Sequence, residues 1–594
     1  MLLFRFEYRS ALYRDIRLTV LFGITLAIVL LLCSADFSTA DDQTKDPGLR
    51  DVVERYRADL DTIRFRYQVP LSPRRDERLK EFWQKQQQQI SKIDFDSLTT
   101  QGKVDHALLA ESIRYEQANL VIQQSRDTAA MKMIPGVQSL VELLERDETS
   151  HTVEAKSVAE IFESVRRALS ELPKDLQELR DKDSNSIDVA LRFDALRAAK
   201  QIEELQRAMK EFHTFYSGYD PNYSWWAAEP FKQLRDALSR HEKMLREEIL
   251  GIAVDDKDTI IGQPIGEAAL QLELQHELIP YTPSELIQIA EEEFAWCDRE
   301  MQAAAKEMGF DDWREAQSAV KNRYVLPGKQ PELIKSLADE AALFVEQRDL
   351  LTVPPLCRES WRMSMMTPER QRVNPYFLGG DTIIVSYPTD AMTHEEKLMS
   401  MRGNNPHFAR ATVHHELIPG HYLQQFMTAR YRGYRGLFNT PFWIEGWALY
   451  WEMLLWDQGF ARSPEDRIGM LFWRKHRCAR IIFSLKYHLG EMTPEQCVDF
   501  LVQRVGHERR NAAAEIRRSV MADYSPLYQA AYMLGGLQIR SLHRQLVVDG
   551  QWTNRQFHDA ILRQGSIPIT ALRSILLDHP PTQEGFATWR FRGE

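Results

Sequence analysis

From Pro47 to about Leu250, apolar residues recur at three- and four-residue steps with charged residues between them, the spacing of amphipathic helices. Ala195, Ala199, Ile202, Leu205, Met209 and Phe212 form one such stripe, which predicts packing between helices. Thr282-Pro283-Ser284-Glu285 reads as a capping box with proline at the first helical position. A helix is therefore predicted to start at Pro283 and run through Leu286, Ile289, Ala290 and Phe294. Between Pro354 and Pro406 the pattern changes. Prolines and Gly379-Gly380 punctuate the chain, and Asp381 to Tyr387 reads as a short β-branched strand closed by Pro388. Helical spacing returns from Phe408. The pattern predicts a mainly α fold with a small β-sheet. A division follows into residues 1–40, an N-terminal helical region 41–265 and a region 266–594 that carries the candidate chemistry. The last two are expected to pack as one unit around a cleft.

The first forty residues stand apart. Arg5, Arg9, Arg14 and Arg17 lead into the apolar run Leu18 to Cys33, and Ser38-Thr39-Ala40 precedes Asp41-Asp42. That order of basic, apolar and small-residue segments is the layout of a secretory signal peptide, which implies a periplasmic or extracellular protein. The alternative is an uncleaved anchor, with residues 18–33 holding the chain in a membrane. The formal charge of −11 becomes one unit more negative without residues 1–40. An acidic chain with no basic run argues against a nucleic-acid partner. Beyond Cys33, Cys297, Cys357, Cys478 and Cys497 remain. Their spacing suits neither a zinc ribbon nor a disulfide-dense scaffold, and one or two disulfides or four buried thiols are both compatible with it.

Candidate chemistry concentrates in Val413-His-His-Glu-Leu-Ile-Pro-Gly-His-Tyr-Leu-Gln424. In the usual His-Glu-x-x-His helix two metal-binding histidines lie four residues apart. Here His415 and His421 are six apart, and on a straight helix they would point about 120° away from each other. Pro419 cannot donate to the carbonyl of His415, and Gly420 tolerates backbone angles that other residues avoid. The pair is expected to break the helix and swing His421 back beside His415. A catalytic zinc site needs a third protein ligand. Glu445 and Glu452, seven residues apart on one helical face, offer it, with Glu445 preferred because Gly446 permits close approach. Glu416 then becomes the general base. His414, adjacent to His415, must point elsewhere and is expected to support the site, as is Glu452. An earlier copy of the same five letters, His276 to Pro280, precedes a helix start with no histidine following, and is read as the tail of the segment before it.

These residues also carry a resemblance. His415-Glu-Leu-Ile-Pro-Gly-His421-Tyr-Leu-Gln, Glu445-Gly-Trp-Ala-Leu-Tyr450-x-Glu452, Gln529-Ala-Ala-Tyr532-Met-Leu-Gly535 and Phe557 to Pro568 resemble four blocks of the bacterial family termed domain of unknown function 885. Ser484, Lys486, His543 and Tyr422 stand where that family often shows Asp, Gly, Arg and His. The resemblance implies a large helical, zinc-metallopeptidase-like fold related to the His-Glu-x-x-His peptidases, with the sheet next to the metal-site helix. It implies His415, His421 and Glu445 as ligands of one Zn2+ and Glu416 as base, with His488, Arg518 and Tyr532 near the reacting atoms.

The expectation is an exported zinc metallopeptidase hydrolysing a peptide or small amide substrate. Ile383, Val385 and Tyr387 would offer a strand edge along which a peptide lies extended. A zinc hydrolase of another amide, or a silent binding protein that keeps the fold, are the alternatives.

Overall fold

A computed structural model describes residues 49–592 apart from 151, 183–186, 254–255, 257, 372–378 and 522–523. The expected signal or anchor segment lies outside the described residues. The chain is mainly helical, with one small sheet. The helices that matter below are α1 (Thr100–Met131), α2 (Val189–Tyr216), α3 (Pro221–Met244), α4 (Glu267–His276) and α5 (Pro283–Glu307). Two strands follow, β1 (Arg362–Met365) and β2 (Thr382–Val385). Then come α6 (Pro406–Glu416), α7 (His421–Thr428), α8 (Pro441–Asp457), α9 (Pro464–His488), α10 (Arg509–Met521) and α11 (Tyr528–His543).

Local chemistry sets the boundaries. The Thr282 hydroxyl and the Glu285 carboxylate cap α5 reciprocally, with Pro283 at its first turn. The Asn405 and Ser463 side chains accept backbone N–H groups at the starts of α6 and α9, each followed by proline. The stripe Ala195 to Phe212 lies on α2, with every one of its six residues buried.

Apolar packing forms two cores. The smaller draws on residues between Ala130 and Leu250, joined by Val69, and includes the inner faces of α2 and α3. The larger joins residues 49–113 with residues 270–591, so it gathers chain from both sides of position 265. The helices that carry His415, His421 and Glu445 stand in this larger core. Trp443, Trp447 and Trp451 of α8 are fully buried there, which makes them packing residues. All four described cysteines are buried free thiols.

α8 packs closely against α11, and glycine permits it. A Cβ on Gly446 would meet the Gly535 backbone at 2.6 Å, and one on Gly535 would meet the Gly446 Cα at 2.9 Å. β1 and β2 pair in parallel, Arg362 opposite Thr382 through Met365 opposite Val385. β2 is shorter than the predicted strand. Its other edge carries no strand among the described residues.

Candidate metal centre

The helix breaks where the Pro-Gly pair stands. α6 ends at Glu416, α7 begins at His421, and the Ile418–Pro419 peptide is cis. The Gly420 N–H donates to the His414 carbonyl (3.0 Å), closing the bend. The Trp447 indole N–H donates to the Pro419 carbonyl (2.8 Å), tying the bend to α8. Gly420 has to be glycine, because a Cβ there would lie 2.5 Å from the His414 carbonyl oxygen and still nearer the His415 carbonyl oxygen.

The bend turns His421 back onto His415. The two rings lie 4.8 Å apart at 86°. Glu445 on α8 meets both, with its Oε2 3.1 Å from His421 Nε2 and 3.8 Å from His415 Nε2. Among the described residues these three are the one group of potential metal ligands whose donor atoms all fall within 4.8 Å of one another. A tetrahedral ion with bonds of about 2.0–2.1 Å holds its ligands about 3.3 Å apart, so the donor set fits zinc. The His415 Nδ1–H donates to Glu452 Oε1 at 2.6 Å, which leaves Nε2 free to face an ion. Tyr528 donates to Glu445 Oε1 at 2.5 Å.

Burial and charge act against each other here. Burial opposes the charge on His415, but the Glu445 and Glu452 carboxylates outweigh it and push the imidazole up to about 9. Burial likewise opposes ionisation of Glu445 and Glu452. His421 and His415 hold Glu445 well below the usual carboxylate range, and His415 holds Glu452 down. Three buried groups thus favour the charged state by mutual attraction, and a bound cation would take the place of the imidazolium proton.

Glu416, the last residue of α6, lies beside the chain entering β2. A Cβ on Gly379 would fall 2.9 Å from the Glu416 carboxyl carbon. Among the described residues nothing hydrogen-bonds that carboxylate. The small sheet therefore does adjoin the helix bearing His415.

Not every expected residue joins this group. His488 ends α9, eight residues and about 12 Å along the helix from Arg480. Its carbonyl accepts from the Gly266 N–H, and burial, with Arg126 nearby, pushes its ring down to about 4. No contact among the described residues links it to the triad, so the structure does not bring it to the site. His414 packs edge-on to Phe460 and burial pushes it down to about 3. One residue of helical rotation turns it away from the ligands. It supports the site through packing, since neither ring nitrogen has a hydrogen-bond partner. Ile383 and Val385 are fully buried, so only their backbone is available to a peptide. Tyr387 is half-buried, its N–H donating to Gln371.

Tyr532 lies beside His415, and Arg518 lies 5.1 Å from the centroid of the Tyr524 ring. The Tyr532 ring stacks at 6.2 Å on His415, and its hydroxyl donates to that of Tyr528 at 3.4 Å. Burial opposes the charge on Arg518, but Glu515 and the Tyr532, Tyr524 and Tyr528 hydroxyls hold it above its ordinary value. Four residues here escape sequence reasoning: Tyr528, Arg477, Arg480 and Glu515. Tyr528 was recoverable in principle, four residues before Tyr532 on the same helical face. Arg477 and Arg480 sit in a helix that is buried nearly throughout, and nothing local marks a charge as buried. The earlier His-Glu copy has a structural task. Glu277 accepts a hydrogen bond from Thr440, which caps α8, and burial pushes its carboxyl up to about 7.

The fold is shared with two solved bacterial proteins. One, described as a "putative lipoprotein of unknown function" from Shewanella oneidensis, is 16% identical, with a TM-score of 0.65 over 89% of this chain and 99% of that one. The other, described as a "putative lipoprotein" from Colwellia psychrerythraea, is 16% identical, with a TM-score of 0.56 over 89% and 98%. No curated protein matches the chain. The model of the family described as "Bacterial protein of unknown function (DUF885)" matches residues 65–576. With most of its length inside that match, including all four sequence blocks around the His415–His421–Glu445 cluster, this chain belongs to the DUF885 family.

Proposed function

We propose that this protein is a zinc-dependent hydrolase of the metallopeptidase type, acting on peptide bonds outside the cytoplasm. The observation that carries the reading is the convergence of donor atoms of His415, His421 and Glu445 within 4.8 Å of one another, reached because the helix breaks at Pro419-Gly420. A zinc ion, when bound, supplies Lewis-acid polarisation of a water and of a carbonyl oxygen. The chain supplies the rest. Glu416, next to the ligand His415 and without a hydrogen-bond partner among the described residues, accepts the proton from the attacking water and passes it to the leaving amine. Glu452 fixes the His415 tautomer, and Tyr528 fixes the Glu445 carboxylate. Tyr532, stacked on His415, would turn its hydroxyl from Tyr528 to donate to the developing oxyanion, a contact of a kind often worth about 3 kcal/mol. The free edge of β2, reached through Gly379 beside Glu416, suits an extended peptide backbone.

Export is supported by the basic, apolar and small-residue order of residues 1–40 and by the lipoprotein descriptions of both fold relatives. No helix of the described residues is long and apolar enough to cross a membrane. The deciding experiment is metal analysis with Glu416→Gln. The wild type should hold one zinc per chain and cleave members of a short-peptide panel, and the variant should keep the zinc and lose turnover. A protein without stoichiometric zinc, or a fully active Glu416→Gln, would overturn the proposal.

A further inference from the structure

The geometry points to a carboxylate-recognition site beside the metal centre, formed by Arg518 with Arg477 and Arg480 behind it, so that the substrates are peptides carrying a free carboxylate near the scissile bond. This inference rests on the hydrolase reading above. Arg477 and Arg480 are three residues apart on α9, and each guanidinium carbon lies 4.5 Å from the centroid of the Tyr532 ring, which itself stacks on His415. Arg518 on α10 lies 5.1 Å from the centroid of the Tyr524 ring, which stacks at 4.4 Å on Tyr528, the donor to Glu445. Two guanidinium groups thus face one phenol next to the triad, and a third lies over the neighbouring tyrosine pair.

Their hydrogen-bonding capacity is not satisfied within the described residues. Glu515 accepts from Arg480 Nε at 2.7 Å and also faces Arg518. Arg477 has only Glu452 nearby, at 3.7 Å, too long for a hydrogen bond and already committed to His415. Among the described residues Glu515 is thus the one carboxylate hydrogen-bonded to these guanidinium groups. Donors are left over. Arg477 Nε, Arg480 Nη1 and Arg518 Nε are buried without a hydrogen-bond partner, and Arg480 is only 3% exposed. Unpaired buried donors are costly, and a guanidinium fork matches a carboxylate in shape as well as charge. Arg518 is the half-buried member, and so the one that reaches a ligand directly. The same chemistry suits a C-terminal α-carboxylate or an acidic side chain.

Calorimetric titration of zinc-loaded Glu416→Gln protein with three peptides tests this. They are a tripeptide with a free carboxyl, its C-terminal amide, and an amide of the same length with an aspartate at its last position. The free acid should bind about 10- to 100-fold more tightly than the neutral amide, the range of one or two charge-assisted hydrogen bonds. Tight binding of the aspartyl amide would assign the pocket to a side-chain carboxylate, and its failure to bind would assign it to the chain end. Arg518→Gln should abolish the preference and Arg518→Lys should restore part of it, both with an unchanged circular dichroism spectrum. Equal binding of acid and neutral amide, or a preference that survives Arg518→Gln, overturns the inference. Repeating the titration on metal-free protein separates the two readings. Absence of stoichiometric zinc counts against the hydrolase, whereas equal binding of acid and neutral amide in both metal states counts against the carboxylate site.

Discussion

Gly420→Ala puts the geometry of the bend to a quantitative test. The added methyl carbon would sit 2.5 Å from both the His414 carbonyl oxygen and the His415 carbonyl carbon, and nearer still to the His415 oxygen. Non-bonded atoms settle at about 3.5–4.0 Å, so the backbone of His415 has to withdraw by about an ångström. Those carbonyls belong to the helix that aims His415, and His414's also receives the Gly420 N–H that closes the bend. Ligand positions in a metal site tolerate only about 0.2 Å. The expected stability cost is about 1–3 kcal/mol, typical of overpacking. Zinc affinity should fall by at least the roughly 10- to 100-fold seen when a supporting partner is lost. Competition with a chelating dye measures the affinity, and urea unfolding measures the stability. Gly433→Ala, where the added carbon meets nothing within 4 Å, is the control and should change neither. Wild-type zinc affinity in Gly420→Ala would refute the claim that this glycine creates the site.

Three further outcomes follow from the same coordinates. Glu452→Gln should weaken zinc by roughly 10- to 100-fold in the same competition assay, because the His415 Nδ1–H loses its carboxylate acceptor; unchanged affinity would remove Glu452 from that role. Asp105→Ala should cost about 3–5 kcal/mol in urea unfolding. It strands Arg435, whose Nε donates to Asp105 at 2.7 Å in a pair with neither side chain exposed; a cost under about 1 kcal/mol would refute this. His558 donates from Nδ1 to the Leu350 carbonyl and accepts the Tyr450 hydroxyl at Nε2, and burial pushes it down to about 3. In the unfolded chain it protonates near its ordinary value of about 6.5. Its contribution is therefore intact above about 6.5 and is lost as pH falls toward about 3, by up to about 1.4 kcal/mol per pH unit. Unfolding free energies at pH 7 and pH 5 should converge in His558→Gln relative to wild type; an identical pH slope would refute the assignment.

Local rules suffice for much of the architecture and for the heart of the site. The helical period, the capping box at Thr282 and the strand before the metal helix are properties of neighbouring residues, so they can be read along the chain. His415, Glu416 and His421 are legible for the same reason. Proline and glycine carry their backbone constraints wherever they stand, and six residues on a straight helix cannot share one ion. Glu445 needed one further step, because its glycine neighbour marks a close approach without saying to what. The partner is the Gly535 backbone, and that contact is what brings Tyr528 to Glu445.

The rest was decided by tertiary structure. Whether a charge on an amphipathic helix faces water or a neighbour depends on what packs against it. Arg477, Arg480 and Glu515 therefore look like ordinary surface charges in the sequence, yet lie buried beside the triad. His488 depends on packing too, since family position places it on the same helix but no contact among the described residues links it to the triad. The two cores obey the same logic. Residues 49–113 precede position 265 but pack with residues 270–591, because apolar surface is buried wherever the folded chain brings a complementary face, irrespective of order in sequence. The sequence by itself determined that a broken helix could present two histidines to one ion. Only the long-range packing of α8, α9, α10 and α11 decided which carboxylate, tyrosines and arginines surround them.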